Sequence, residues 1–289
     1  MKIKTLSFLV SMALLSLASC ADEGKEQLLQ GKEIKLGSEI IPASRVLGQS
    51  VQSTQIVEGQ QLGITITGAQ EEHDNMAWTA MGNGGLNYSG DKVTWGNTDI
   101  TVVAYHPYNA GWTGDKHSFS VKTDQSTEEG YLASDLLWAT AEASPSDVWI
   151  PLKFTHKLAR ISVTLTSDDI DDLSGAEVYI CATTVSKYFN PKTGELGDFS
   201  GVSEQIKAGS ITKDNPTVSA IIIPQHVNAT VGVIKIVYAG KEYRYYLTRN
   251  IQYMSGYSYH YTLKIFGGDS SEVEEVISGG VEDMDIVEW

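Results

Sequence analysis

Cysteine is almost missing: Cys20 and Cys181 are the only two in 289 residues. No disulfide framework can be built from one pair, so packed apolar cores have to hold the fold. Positive charge is scarce as well, with 21 Lys and Arg against 36 Asp and Glu and a formal net charge of −15. Such a surface is repelled by phosphate backbones, which excludes nucleic acid as a partner. Beyond the first twenty residues no stretch approaches the ~20 consecutive apolar residues of a spanning helix. Helical periodicity is weak too. The few candidates, Glu26 to Leu29 and Leu132 to Trp138, are short enough to be loop segments.

The motifs of catalysis are also absent. There is no Gly-x-Ser-x-Gly elbow and no His-Glu-x-x-His, so neither a serine hydrolase nor a zinc protease is visible. Met81-Gly82-Asn83-Gly84-Gly85 is not followed by Gly-Lys-Ser/Thr or by a helix pattern, and reads as a loop, not a phosphate cradle. The six histidines (73, 106, 117, 156, 226 and 260) are dispersed without metal-ligand spacing. His156 falls in the apolar phase of its strand and reads as a core histidine with hydrogen-bonded nitrogens. Asp168, Asp169, Asp171 and Asp172 lack the spacing of a calcium loop and read as a solvated linker. Cys181, inside the apolar run Val178 to Ala182, reads as a buried small hydrophobe, not a nucleophile. Trp78, Trp95 and Trp112 lie in or beside loops, where aromatics either cover a core or stack on sugar rings. The expectation is a protein with no catalytic residue, metal or cofactor, and not an enzyme.

What is present starts at the first residue. Lys2 and Lys4 precede an apolar run from Leu6 to Ala18, which ends in Leu17-Ala18-Ser19-Cys20. A charged start, an apolar stretch too short to span a bilayer and a small-residue cleavage site make residues 1–19 a signal peptide. The last four residues match a bacterial lipobox. Cys20 then becomes the first residue of a processed lipoprotein, its thiol carrying acyl chains that each bury about 0.8 kcal/mol per methylene in a membrane. Processing removes Lys2 and Lys4 and no acid, leaving 19 basic against 36 acidic residues and a formal charge of −17. Residues 21–32 are polar and aperiodic, as suits a tether.

Past the tether the apolar pattern has the period of strands. Leu62, Ile64 and Ile66 alternate, as do Ile234, Ile236 and Tyr238, while Ile100 to Tyr105 is apolar on both faces. Tyr257, Tyr259, Tyr261, Leu263 and Ile265 form the clearest strand. Turn signals such as Pro191-Lys192-Thr193-Gly194 and Ala239-Gly240-Lys241 separate the runs. Short strands with glycine-rich turns and no intervening helices predict antiparallel β-sandwiches. From Trp149 to Leu165 the phase changes: Ile150, Leu152, Phe154, His156 and Leu158 are even, Ile161, Val163 and Leu165 odd. One flat strand cannot bury both sets on one face, so a bulge or bend between sheets is expected near Lys157 to Arg160. The acidic run after Leu165 marks the expected domain boundary, with domains at 46–167 and 168–289.

Several motifs together resemble those of the Mfa-like fimbrillins, the pilins of Bacteroidota type V pili. They are the lipobox; Val102-Val103-Ala104-Tyr105-His106-Pro107-Tyr108; Asp124-Gln125-Ser126 with Tyr131-Leu132-Ala133-Ser134-Asp135-Leu136-Leu137; Leu152 to Arg160 with its Phe154-x-His156-x-Leu158-Ala159 core; Ile223-Pro224-Gln225; and Ser255-Gly256 before the tyrosine strand. The resemblance implies an all-β chain of two tandem transthyretin-like antiparallel β-sandwich domains after a lipoprotein signal peptide. It implies a structural subunit of a surface fimbria, lipidated at Cys20, held at the outer membrane by lipid and polymerised by strand exchange after proteolysis. Asp22-Glu23 resemble the signal that sends such lipoproteins to the cell surface. The implied partners are other copies or related pilins, lipoprotein-processing enzymes and an arginine-specific protease. The alternatives are a tip adhesin, or a glycan-binding surface lipoprotein that never polymerises.

Two segments bear on assembly. Ile34, Leu36 and Ile40 are in phase within Glu33 to Ile41, so this stretch fits as a strand at an edge of the first domain. Residues 20–45 thus read as a lipidated pro-segment carrying a removable strand. Arg45 is the only arginine before Arg160; by resemblance, cleavage between Arg45 and Val46 releases that strand and opens a groove for a neighbour's strand. The tail, 266–289, has glycines at 267–268 and 279–280 and ends with Met284, Ile286 and Trp289 among acids. It reads equally as a donor strand, a local closing strand or a frayed end.

Overall fold

The computed structural model describes residues 29–41, 54–267, 273–275 and 285–289; Cys20, Arg45 and Val46 lie outside them. The strands of the first half are β1 (Leu36–Ile40), β2 (Gln61–Thr67), β3 (His73–Ala80), β4 (Leu86–Tyr88), β5 (Ile100–His106), β6 (His117–Ser120), β7 (Leu137–Ala143), β8 (Ile150–His156) and β9 (Ala159–Thr166). The one helix among the described residues, α1 (Glu128–Leu132), precedes β7; Thr127 caps it by accepting from Gly130 N–H at 3.1 Å. Then follow β10 (Glu177–Thr184), β11 (Ser186–Asn190), β12 (Glu195–Phe199), β13 (Ser203–Ser210), β14 (Thr217–Ile222), β15 (Gln225–Val227), β16 (Gly232–Tyr238), β17 (Lys241–Tyr246), β18 (Ile251–Tyr253), β19 (Tyr257–Ile265), β20 (Val273–Glu275) and β21 (Asp285–Glu288).

Alternation decides which faces are buried. β8 alternates buried and exposed residues along its whole length, and Leu62, Ile64 and Ile66 of β2 are all enclosed. The first sheet runs β1-β8-β7-β5-β2-β3-β4. Its edges approach each other, because Gly37 of β1 bridges Gly85 just before β4. The sheet thereby wraps around a core that includes Ile34, Leu36, Leu62, Trp95, Leu152 and Phe154. In the second half a sheet β13-β10-β16-β17 and a sheet β14-β9-β19, extended by β20 and β21 along the far edge of β19, enclose a core with Val163, Ile180, Ile221, Ile234, Tyr261 and Leu263. The halves are not independent. Tyr105, Trp112 and Phe119 of the first half pack into the second core, and β6 pairs with β11.

The all-β, sandwich-like architecture agrees with the sequence, with three differences of detail. First, two pairs are parallel, β1 with β8 and β9 with β19; alternation fixes the face a strand buries but not the direction of its neighbour. Second, the phase change at Lys157 is the point where the chain changes cores: Phe154 belongs to the first, Leu158 and Ala159 to the second. The whole of β9 is therefore in the second core, whereas the expected division at 167/168 assigns it to the first domain. The acidic run that suggested that division is a surface loop after β9, where Asp169 accepts from Ser167 Oγ at 2.8 Å and from Gly267 N–H at 2.9 Å. Third, Cys181 faces outward on β10 and is only half-buried. Burial pushes its thiol pKa up, which disfavours the thiolate form.

Candidate functional site

β1 is held along both edges. On one side it runs parallel to β8, Leu36 opposite Ile150 through Ile40 opposite Phe154. On the other, Ile34 N–H donates to Val93 O (2.9 Å), Ser38 N–H to Gly84 O (2.7 Å) and Ile40 N–H to Thr54 O (2.9 Å). The glycine-rich turn at 81–85 is thus a backbone partner of β1. Ile34, Leu36 and Ile40 are each at most 2% exposed, and Ser38 fills the inward position between the last two. Fully burying each of the three apolar side chains contributes about 1.5–3 kcal/mol. An exposed ion pair, Lys92 Nζ to Glu33 Oε2 at 3.1 Å, adds little at the entrance. Taking β1 away leaves an apolar slot lined on both sides by unpaired backbone groups, which is what another strand needs in order to bind.

The two most specific sequence motifs meet where the cores meet. In Ser134-Asp135-Leu136-Leu137, Leu136 enters the second core and Leu137 the first. Asp135, immediately before them, is fully buried, and His156 Nδ1 donates to its Oδ1 at 2.8 Å. His106 Nδ1 donates to the Asp135 carbonyl at 3.0 Å. Burial, the largest influence on His106, holds its pKa below the ordinary imidazole value. His156 is therefore the hydrogen-bonded core histidine that its phase suggests. Trp78, Trp95 and Trp112 are at most 8% exposed, so they cover cores.

The tail docks on its own domain. β20 pairs with Leu263–Ile265 and β21 with Tyr257–His260, both antiparallel on the edge of β19 opposite β9. Trp289 N–H donates to Gly256 O at 2.6 Å, and its indole stacks on His156 with ring centroids 3.8 Å apart. The Arg160 guanidinium lies 5.0 Å from the same ring, and its Nε donates to Ser258 Oγ at 2.9 Å. The tail therefore closes the sheet at the junction motif. Gly279 and Gly280 lie outside the described residues.

Sequence reasoning found β1, His156 and the tail but missed Asp135 as the link between motifs, and it missed Trp149. Trp149 precedes β8, is 49% exposed, and lies across Gly37 and Gly85 where the sheet edges join. The available signal was Gly37 itself, since a glycine inside a strand marks close approach.

The fimbrillin-like family matches the chain over residues 49–283. Among solved structures, a candidate cell adhesion protein of Bacteroides ovatus superposes with a TM-score of 0.65 at 17% identity, covering 89% of this chain and 98% of its own. A second, from Bacteroides uniformis, gives 0.63 at 18% identity, with 90% and 98% covered. A third, from Bacteroides thetaiotaomicron, gives 0.52 at 17% identity, with 86% and 98% covered. At these identities the likeness is one of fold. No curated protein matches the chain.

Proposed function

The chain belongs to the fimbrillin-like family, and from that membership we propose that it is a structural subunit of a surface fimbria, assembled by strand exchange after removal of β1. The observation that carries this reading is β1 itself: an inserted strand with both edges paired and its apolar side chains in the first core. The family match begins at residue 49, past β1 and past Arg45. Cleavage between Arg45 and Val46 by an arginine-specific protease cuts the covalent link between β1 and the rest of the fold. The slot then takes a strand from another copy or a related pilin. Before cleavage, acyl chains on Cys20 hold the subunit at the outer membrane, delivered by lipoprotein-processing enzymes.

A second reading, a surface adhesin that does not polymerise, is favoured by the docked tail, which is engaged with its own β19 and not free to be donated. One experiment separates them. Surface material is purified and its heat-resistant ladders are sequenced from the N-terminus. Polymers beginning at Val46, and a lipidated monomer trapped by Arg45→Ala, are the expected result. Polymers that retain residues 20–45 reject cleavage-driven assembly, and surface protein without any ladder favours the adhesin.

A further inference from the structure

We propose that the seam between β1 and β4 is a binding site for one neutral sugar ring of a glycan, seated against Trp149 and Tyr88. The site goes beyond the fimbrial and the adhesin readings and depends on neither. Among the described residues no ladder joins β1 to β4; two isolated bridges, Glu33 with Thr94 and Gly37 with Gly85, pin the seam at its ends. Between them the strands part. The opening is a cavity of about 200 Å³ lined by Tyr88 and Trp149 among others. That is below the ~300–1,000 Å³ of drug-sized sites, so it takes a single ring.

Both aromatic walls are in place before any ligand arrives. A Cβ added at Gly37 would clash with Trp149 Cζ2 and lie 2.7 Å from its Cε2, and one added at Gly90 would lie 2.6 Å from Tyr88 Cε1 and Cζ. Neither glycine has a positive φ. Glycine is there for room, and each ring rests directly on backbone. Tyr88 is also stacked on buried Trp78, with centroids 5.5 Å apart. Trp149 is nevertheless 49% exposed, and Met81 in the same lining is 44% exposed. An aromatic surface that is held still and left open binds a ring without first being ordered.

The polar part of the lining decides the class of ligand. Glu33, Lys35, Asn83, Asn87 and Lys92 border the same cavity and are exposed. Lys92 is paired with Glu33 at 3.1 Å, and Asn83 Oδ1 accepts from Gly85 N–H at 3.0 Å, which leaves its amide NH2 to donate. Donors and acceptors set around aromatic walls suit a molecule with an apolar face and hydroxyls along its edge. A pyranose is such a molecule. A hydrocarbon would cover these polar groups without pairing them. A multiply charged anion would find only Lys35 outside the ion pair, on a chain of net charge −15. Residues 33–36 form one wall, so the site is complete only while β1 is seated, and a bound sugar stabilises that seating.

The test titrates the full chain with the methyl glycosides of glucose, galactose, mannose and N-acetylglucosamine. Binding is followed by the NMR signal of the Trp149 indole N–H, assigned from its loss in Trp149→Phe. At least one glycoside is expected to move that signal with about millimolar affinity. By saturation-transfer NMR on the sugar, Trp149→Ala should weaken its binding about tenfold and Trp149→Phe should restore most of it. Asn87→Ala should weaken it about fivefold. Neither Trp149 nor Asn87 belongs to a core, so these variants keep the fold. The proposal is overturned if no glycoside moves the Trp149 signal, if affinity is unchanged in both alanine variants, or if cyclohexanol binds as tightly as the best glycoside. Binding of glucuronate in place of every neutral sugar overturns it too. In a chain cut at a specific protease site placed at 42–45, glycoside at ten times its Kd should shift release of a labelled β1 fragment about tenfold toward the seated state. Unchanged release rejects the seam as the site. None of these outcomes depends on whether polymers begin at Val46, so the assembly reading stands or falls separately.

Discussion

Buried polar residues meet where the two cores meet. Asp135 immediately precedes Leu136 and Leu137, one leucine in each core, with His106 on its carbonyl and His156 on its carboxylate. His106 is kept neutral by burial, with its pKa below the ordinary value of 6.5. In the unfolded chain it takes a proton near pH 6.5; in the fold it refuses one until lower pH. Between those values the unfolded state binds more protons, so stability falls as pH drops below about 6.5 and is unaffected by this group above it. The urea midpoint should therefore decline from pH 7 to 5, and His106→Gln should decline less steeply over that window. Parallel declines would show that His106 does not supply the acid sensitivity.

Among the elements, β19 is the organiser of the second half. It pairs over Ser258–Lys264 with β9 on one edge and carries β20 and β21 on the other. The tail's hold depends on more than its few ladder bonds, because Trp289 is 6% exposed and seated on His156. Truncating a buried tryptophan costs about 3–5 kcal/mol. Trp289→Ala should therefore lower amide-exchange protection of 285–288 by about a hundredfold, ~3 kcal/mol at the low end of that range, and spare β2 and β5. Exchange followed by mass spectrometry checks it; an unchanged rate would place the anchor elsewhere. If the tail is donated during assembly, the same substitution should speed polymer formation by loosening its docked state.

At the scale of the whole molecule, the proposed attachment at Cys20 and the proposed cleavage between Arg45 and Val46 both act through the N-terminal segment. If residues 1–19 are removed the chain has 19 basic against 36 acidic residues, which disfavours attraction to an anionic bilayer, and the anchor proposed here is lipid on Cys20. Cys20→Ala should abolish labelling by radioactive palmitate and leave little mature protein in the outer-membrane fraction. Incorporation of label into that variant rules out Cys20 as the acylated residue.

The sequence determined the strands and the faces they bury, because alternation with period two is a local property of the chain. It also located the break at Lys157, since a change of phase cannot be absorbed by one flat strand. β1 was legible for the same reason: Ile34, Leu36 and Ile40 are in phase and all three are buried. Which strand lies beside which was decided only by tertiary structure. The parallel neighbours β1 and β8 are brought together from distant positions, and nothing in the alternation of either names the other or gives its direction. The same holds for the seam, where Gly37, Gly85 and Trp149 acquire a shared meaning only when the sheet curls until its edges touch. The tail's destination was equally open in sequence. Its short apolar stretches fit several edges, and the free edge of β19, with His156 and Arg160 waiting for Trp289, exists only in the folded molecule.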